Sequence, residues 1–457
     1  MGALFGTDGV RGIPGRYPLT PEALRAIAFS AGKILAEKAA QASRAPAVLM
    51  GRDTRESGPS LARELAAGFS AAGCRIQDVG VIPTPGISCL IPRVGAAGGA
   101  VVSASHNPAR FNGVKFFDAA GFKLGAQAEG RIEREAAEPA RSLRPRRAAA
   151  APQRRPDLAG LYADFLRSTF PSNFDLSGMT IALDCANGAA AKIAPALFSD
   201  LGAKVAPLGV APDGRNINAG CGALFPGAVR RAVLRRRADC GISFDGDADR
   251  ALFTDEKGRL LDGDAIICLA ALRLKRLGLL RKNKVALTVM SNYALLRFLE
   301  SQGIASVCVP VGDRNVTDAI EKEGLSLGGE TSGHVIFRRF AATGDGLLTA
   351  LQTLAALRES GGPLSALGRA FRAVPQAMEN VETDSKIPLE DLPRLQKVLR
   401  RGENELRGRG RILLRYSGTE PVLRILAEGP SKARVRALAR SLAETYRRET
   451  GQEGERA

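Results

Sequence analysis

Three aspartates alternate in SFDGDADR, residues 243–250: Asp245, Asp247 and Asp249 follow a short apolar run. In extended chain, alternate side chains share one face, so three carboxylates here would repel one another strongly unless a cation lay between them. Hard oxygen ligands of this kind suit Mg2+ or Ca2+. An EF-hand is the rival pattern, because Glu256 falls where that loop puts its last ligand. Arg250, however, stands where an EF-hand needs glycine for its sharp turn. The flanks also read as a strand and a hairpin, not as two helices. The pattern therefore predicts a Mg2+ cradle at a strand end.

The chain has only two histidines, and one of them, His106, lies in VVSASHNPARFNG (101–113) directly after Ser105. Asn107-Pro108 forces a turn after the strand. The prediction is a serine hydroxyl exposed at a strand's carboxyl end, where open α/β sheets place ligands. A serine hydroxyl is a weak nucleophile unless something activates it. The G-x-S-x-G elbow of hydrolases is absent, which disfavours acyl transfer. Two readings remain open for these residues alone: a serine that carries phosphate covalently, or a turn serine beside a capping histidine.

Two further stretches have the right residue types. In GGETSGH (328–334), three glycines surround Glu330 and Ser332, so the backbone can approach a ligand closely, and the run ends in His334. The alternative is a mobile surface loop. In RYSGTEPVLRI (415–425), Ser417, Gly418 and Thr419 form a nest of hydroxyls and backbone N–H groups, flanked by Arg415 and Arg424. Oriented amides with a guanidinium fork make an anion site best suited to phosphate. The alternative is an ordinary β-turn. Together the four stretches describe one site, with a phosphate-carrying serine, a Mg2+ cradle, a sugar-sized polar loop and a phosphate clamp.

Something must bring these stretches together. A chain of 457 residues is too long for one core and suggests roughly two to four domains. A unit of short apolar strand, polar turn and amphipathic helix occurs three times, at 45–69, 179–198 and 284–300. Strands apolar on both faces and followed directly by helices read as βαβ units with mostly parallel sheets. The units are too far apart for a solenoid and predict three similar α/β domains. RSLRPRRAAAAPQRRP (141–156) reads as a linker, and the hairpin ALFTDEKGRLLDGD (251–264) marks a second boundary. After about residue 370 the pattern changes to strands at 412–429 and a final helix, an α+β domain. The expected segments are 1–155, 156–256, 257–369 and 370–457, around a central cleft.

Hydrophobic residues at 45% and charged residues at 25% fit a soluble globular protein. The net charge of +18 suits an anionic partner. Nucleic acid is not expected, because aromatics are 5% and tryptophan is absent, which leaves few stacking platforms. The seven cysteines show no CxxC, so neither a zinc site nor a disulfide framework is expected. The opening MGALFGTDGVRG turns polar early, unlike a secretory leader. AIICLAALRLKRLGLL (265–280) is broken by charges and too short to span a bilayer. A cytoplasmic protein without membrane attachment is expected.

SASHNP, DGDADR, GGETSGH and RYSGTEP, in this order and at these spacings, resemble the α-D-phosphohexomutase superfamily. The likeness begins at FGTDGVRG (5–12) and covers nearly the whole chain. FGTDGVRG, SASHNP, PDGRNIN…CG (212–222) and VGDRNV (311–316) are most similar to its glucosamine branch.

The resemblance implies a phosphoserine at Ser105, whose phosphate completes the Mg2+ shell of Asp245, Asp247 and Asp249. It implies that Glu330 and Ser332 bind sugar hydroxyls and that Gly312, Asp313 and Arg314 also bind substrate. Arg415, Ser417, Gly418, Thr419 and Arg424 would hold the non-reacting phosphate. Arg11, Lys115, Arg250 and His334 would line the reacting centre, with Lys115 and His334 as the candidates for proton transfer. His106 would order the turn and the serine phosphate.

Glucosamine 6-phosphate and glucosamine 1-phosphate would interconvert through a sugar 1,6-bisphosphate, which also acts as activator, with one Mg2+ per chain. The partner implied is a small phosphosugar, and the chain would be a monomer or homodimer. Phosphomannomutase/phosphoglucomutase activity is the rival within the superfamily. A Mg2+ phosphatase would share the aspartates but would not need the clamp. A non-enzymatic anion-binding protein would leave the Ser105 turn unexplained. Two positions depart from the family pattern: Tyr416 stands where the clamp usually has Pro, and Thr331 where the glucosamine branch usually has Gln.

Overall fold

The computed structural model describes residues 4–6, 8–42, 45–137, 151–417 and 421–451. By their contacts the residues form two compact units, Met1–Met290 with Ile304–Ala370, and Ser291–Gly303 with Phe371–Ala457.

The first unit holds three sheets. The first sheet contains β1 (Val10–Gly12), β2 (Ala47–Arg52), β3 (Arg75–Val81), β4 (Gly98–Val102), β5 (Asn112–Phe117) and β6 (Gln153–Arg154), in the order β1-β5-β4-β2-β3-β6. β3, β2 and β4 run parallel, while β5 is antiparallel to β4 and β1. Every residue of β4 and β5 is buried: β4 is an unbroken run of small and apolar residues, whereas β5 also buries Asn112 and Lys115. Helices Pro21–Gln41 and Gly58–Ala71 cover one face through Leu24, Ile27, Leu35, Leu65 and Phe69, with Phe69 edge-on to Phe116 at 6.2 Å. Thr20 starts the first of these helices by accepting from Ala23 N–H, and Pro21 sits at its first turn.

The second sheet contains β7 (Thr180–Asp184), β8 (Lys204–Leu208), β9 (Cys240–Phe244), β10 (Ala251–Asp255) and β11 (Leu260–Leu261), ordered β11-β10-β9-β7-β8. The third contains β12 (Lys284–Thr288), β13 (Ala305–Val309), β14 (Leu327–Gly329) and β15 (Val335–Phe337), ordered β13-β12-β14-β15. Both combine a parallel centre with an antiparallel edge.

The three strand-turn-helix repeats expected from the sequence are present: β2 leads to Gly58–Ala71, β7 to Ile193–Asp200, and β12 to Tyr293–Ser301. The expected hairpin at 251–264 is β10–β11, with Phe253 opposite Leu261. The linker differs from the expectation in one respect. Residues 138–150 lie outside the described residues, but Gln153–Arg154 joins β3 as a parallel edge strand. Pro152 and Pro156 bound it, and proline is tolerated at a sheet edge, where no further ladder is needed.

The second unit is an antiparallel sheet of β16 (Gln376–Glu382), β17 (Arg411–Tyr416) and β18 (Val422–Glu428), ordered β16-β18-β17. Helices Pro393–Leu406 and Lys432–Glu449 pack on it through Leu395, Leu406, Leu438, Leu442 and Tyr446. Helix Tyr293–Ser301 belongs to this unit, and its first N–H donates to the buried Glu428 carboxylate at 3.1 Å. No helix among the described residues is long and apolar enough to cross a membrane.

Candidate active site

The chain leaves β4 at Val102 and returns as β5 at Asn112, with Ser105 in the turn between at φ 50°, a left-handed conformation uncommon outside glycine. The hydroxyl is not exposed as the sequence predicts: Ser105 is 1% accessible. Its Oγ turns inward and donates to Asp245 Oδ2 at 2.5 Å, with His106 Nδ1 at 3.4 Å from the same oxygen. Burial, then the positive charges of Arg250 and Arg11, lowers the His106 pKa to about 4, so the ring is neutral at pH 7. A neutral imidazole can order the serine without adding charge.

The aspartates converge, but not by strand alternation. β9 ends at Phe244, and Asp245–Arg250 is a turn in which Ala248 has φ 56°. Left-handed backbone inside the turn brings one oxygen of each of Asp245, Asp247 and Asp249 within 4.8 Å of the others. Gly246 lets this loop press against the serine turn, since a Cβ there would lie 2.6 Å from the Ser105 carbonyl.

Lys115, from β5, is wholly buried beneath the cradle. Its Nζ lies 2.9 Å from Asp8 Oδ2, 3.0 Å from Asp247 Oδ2 and 3.3 Å from Asp249 Oδ2. Burial opposes the ammonium, but these three carboxylates outweigh it and hold the Lys115 pKa well above its usual value. Asp249 is buried too, yet Lys115 keeps its carboxyl well below the usual range. Burial, together with repulsion from Asp249 and Asp247, pushes Asp245 well above that range. Asp247 Oδ1 and Asp249 Oδ1 are buried without a hydrogen-bond partner. Lys115 is the one ammonium in contact, the Arg250 guanidinium stands 3.9 Å from Asp249 Oδ1, and two buried carboxylate oxygens still have no hydrogen-bond partner. The donor set fits a hard divalent cation such as Mg2+.

The loop 330–334 is a tight turn between β14 and β15, not a mobile one. Glu330 N–H donates to His334 O at 2.9 Å and Gly263 N–H to Thr331 O at 3.0 Å. Glu330 Oε1 accepts from Gly312 N–H at 3.0 Å, and Gly312 has φ 130°, which a side chain would resist. His334 is buried, its Nε2 accepts from Gly344 N–H at 3.1 Å, and its Nδ1 lies 3.7 Å from Asp249 Oδ2. Ser332 Oγ is buried without a partner. Arg250 N–H donates to Asp245 Oδ1 at 3.2 Å, and its guanidinium is stabilised by Asp245, Asp249 and Glu330 against burial. Arg11 reaches Asp8 at 2.5 Å and Asn107 Oδ1 at 3.5 Å. Asp313 and Asp8 share Lys123.

Ser105, His106, Arg11, Lys115, the three aspartates, Arg250 and His334 thus form one connected cluster, joined to Glu330 and Asp313. Arg314 stands apart from it. Its guanidinium is committed to Glu129 and the Leu124 carbonyl, because helix Ala126–Ala137 presents a carboxylate to it.

In the second unit, Arg415 and Arg424 face each other directly across β17 and β18. Like charges opposite one another destabilise a ladder. Burial, then Arg424, holds the Arg415 pKa below its usual value. Such a pair suits an anion. Ser417 N–H donates to Val422 O at 2.8 Å, and the Ser417 carbonyl accepts from Lys386 at 2.7 Å. Gly418 and Thr419 lie outside the described residues. Tyr416 OH donates to Ile387 O at 2.6 Å and meets Tyr446 OH at 3.3 Å, so the residue in the proline position anchors the strand through its side chain.

Four family models match the chain in order. They are phosphoglucomutase/phosphomannomutase alpha/beta/alpha domain I over residues 2–142, domain II over 161–258, domain III over 262–373 and the C-terminal domain over 378–445. A phosphoglucosamine mutase from Anaeromyxobacter sp. (strain Fw109-5) is 44% identical over 454 residues, covering 98% of this chain and 96% of its own. One from Myxococcus xanthus is 45% identical over 443 residues, covering 96% of each chain. The chain belongs to the phosphoglucosamine mutase family. It is therefore an isomerase, an intramolecular phosphotransferase, built from three α/β domains and a C-terminal domain.

Among solved structures, a phosphoglucomutase/phosphomannomutase family protein from Burkholderia thailandensis is 25% identical with a TM-score of 0.78, covering 99% of this chain and 98% of its own. The N-acetylphosphoglucosamine mutase of Aspergillus fumigatus, solved with GlcNAc-6P and magnesium, has the same fold at a TM-score of 0.68 and 20% identity, covering 98% of this chain and 96% of its own.

For this phosphoglucosamine mutase family member, sequence reasoning passed over several residues that build the site. Asp8 sits among Lys115, Lys123 and Arg11, and those cations, against burial, hold its carboxyl well below the usual range. Thr84 Oγ1 donates to Asp247 Oδ2 at 2.6 Å. Asp53, Arg55 and Asn218 hold the serine turn from behind. The readable signal was GRDTR (51–55), which puts a carboxylate and a guanidinium two residues apart immediately after a buried strand.

Proposed function

We propose that the protein interconverts glucosamine 6-phosphate and glucosamine 1-phosphate through a phosphorylated Ser105. The observation that carries this is the 2.5 Å contact of Ser105 Oγ with Asp245, inside a buried three-aspartate cradle that keeps two carboxylate oxygens unmatched. In the forward direction the sugar's O1 attacks the serine phosphorus, the P–Oγ bond breaks and a 1,6-bisphosphate forms. The intermediate turns round, Ser105 Oγ attacks the 6-phosphoryl group, and glucosamine 1-phosphate leaves. Each transfer moves one proton from the attacking hydroxyl and returns one to the departing oxygen. We assign that traffic to Lys115 and His334, which flank Asp249. Catalysis of phosphoryl transfer is mostly positioning and charge stabilisation, for which Arg11 and Arg250 supply fixed guanidinium charge. When bound, Mg2+ would neutralise phosphoryl oxygens, held by Asp245, Asp247, Asp249 and the phosphate on Ser105.

Glu330 and Ser332 are assigned to the sugar hydroxyls, with Gly312 and Asp313 supporting that loop. Arg415, Ser417, Gly418, Thr419 and Arg424 are assigned to the non-reacting phosphate, supported by the facing arginines of β17 and β18. Arg314 is not assigned to substrate, since Glu129 occupies its guanidinium. The working segments are taken as 1–155, 156–256, 257–369 and 370–457. The bisphosphate also phosphorylates Ser105 when that residue is free. Seven cysteines outside any disulfide suit a reducing compartment, which supports a cytoplasmic assignment.

The test is kcat/KM for glucosamine, glucose and mannose phosphates under one activation protocol, with Ser105→Ala alongside. Glucosamine phosphate should be preferred, with low activity on glucose phosphate, because most binding energy goes to phosphates common to all three. Ser105→Ala should be folded and inactive. Better turnover of mannose or glucose phosphate, or an active Ser105→Ala, would contradict the proposal.

A further inference from the structure

The carbonyl groups of the Ser105 turn are gripped by two side chains from outside it. Arg55 lies just beyond β2, and its guanidinium has no solvent exposure. All five of its N–H donors are used. Nε donates to Asp53 Oδ2 at 2.8 Å, Nη1 to the carbonyls of Pro108 at 2.7 Å and Phe111 at 2.8 Å, and Nη2 to those of Ser105 at 2.9 Å and Asn107 at 2.8 Å. Asp53 in turn accepts from Ser103 Oγ at 2.7 Å, and Ser103 Oγ accepts from Ser105 N–H at 2.9 Å. From the second α/β domain, Asn218 Nδ2 donates to the same Ser105 carbonyl at 2.9 Å and to Asn107 O at 3.2 Å. Asn218 itself has φ 60°.

Ser105 at φ 50° holds a conformation that a serine does not favour, and such strain persists only where the surroundings impose it. Here the surroundings are the Arg55 fork and the Asn218 amide. The need for rigidity follows from the chemistry. One serine oxygen must deliver a phosphoryl group to one hydroxyl and recover another from a different position. Misplacement by about 1 Å can cost roughly a hundredfold in rate.

We propose that Arg55 and Asn218 are positioning residues for the phosphorylated serine: they hold the Ser105 turn from behind so that Oγ stays aimed at the aspartate cradle through both transfers. The inference rests on the phosphoserine reading above. The competing view is that the two side chains only complete the fold. The views differ in what a folded variant loses. A purely structural role lowers melting temperature and leaves the turnover of the surviving folded enzyme intact. A positioning role lowers kcat and spares KM, because the sugar's binding groups are untouched.

Two variants of the full-length enzyme test it. Asn218→Gly removes the amide donors while keeping a residue at ease at φ 60°. Arg55→Lys keeps the charge but loses the planar fork that reaches four carbonyls at once. Steady-state kcat and KM, melting temperature, and the fraction of Ser105 phosphorylated after glucosamine 1,6-bisphosphate treatment are measured for each. In Asn218→Gly, kcat should fall about tenfold or more with KM within about twofold, and Arg55→Lys should lose more, as expected for a small displacement of a reacting atom. Slower rephosphorylation of Ser105 should accompany the loss.

A folded Asn218→Gly with the parent's kcat, or one that loses activity through KM alone, overturns the proposal. Should Arg55→Lys not fold, Asn218→Gly decides. Failure of the underlying reading looks different: the parent enzyme would carry no phosphate on Ser105, or Ser105→Ala would turn over substrate.

Discussion

Asp245, Asp247 and Asp249 occupy one buried pocket with Lys115 as the counter-charge in direct contact, and burial with mutual repulsion pushes Asp245 well above the ordinary carboxylate range. Asp247→Asn removes one of the repelling charges with little change in shape. We expect it to lower activity far more than it lowers melting temperature, since Lys115 keeps Asp8 and Asp249 as partners. EDTA should abolish the parent's activity and Mg2+ restore it. Activity indifferent to chelators would remove the metal from the account.

The opposed arginines of the second unit give a parallel prediction. Arg415→Ala deletes a charge-assisted bond worth roughly 1.5–3 kcal/mol, so kcat/KM should fall about ten- to a hundredfold, mainly through KM. Because it also relieves a like-charge pair, thermal melting should show no loss of stability. Residue types singled out Ser105, the three aspartates, Glu330 and His334, since phosphate and metal chemistry needs hydroxyls and carboxylates, while Arg11, Lys115 and Arg250 came only with the family resemblance. Arg314 came from that resemblance through VGDRNV, and a motif match does not reveal that Glu129, nearly two hundred residues away in the chain, already holds its guanidinium.

At the scale of elements, turns were the hard part to read. Alternation in DGDAD suggested extended chain, yet the carboxylates meet because Ala248 is left-handed, a backbone state that no residue type in that run announces. The buried strands β2, β7 and β12 were plain from unbroken apolar runs. β16 was not, since its burial alternates but its residue types do not follow: Met378 faces outward and Glu379 lies on the more buried side. The helix Gly346–Ser360 offers a test of element energetics. Asp345 is its N-cap, accepting from Leu348 N–H at 3.0 Å and from Tyr162 OH at 2.8 Å.

Burial raises the Asp345 pKa from 3.8 to about 6, against those hydrogen bonds. The folded state thus holds this proton more tightly than the unfolded chain. The stabilisation is full below about pH 4 and is lost as pH rises through about 6. Asp345→Asn stays neutral and can still cap. Relative to the parent, it should gain up to about 3 kcal/mol between pH 4 and pH 7 in urea unfolding. A pH-independent difference would show that the carboxyl is not held protonated by burial.

At the scale of the molecule, the domain pattern was legible because each α/β unit repeats the same strand-turn-helix punctuation. The order of the sheets was not legible, since strand neighbours depend on pairings far apart in sequence, such as β1 beside β5. The chemistry also spans that distance: the serine, the aspartates and His334 come from three different sheets. The proposed function turns on Ser105 passing its own phosphoryl group to the sugar. Enzyme labelled with radioactive phosphate on Ser105, mixed with unlabelled glucosamine 6-phosphate in a single turnover, tests this directly. Label should leave the protein and appear in glucosamine 1,6-bisphosphate and then in glucosamine phosphate. Label released as inorganic phosphate, or retained on the protein while product forms, would contradict it.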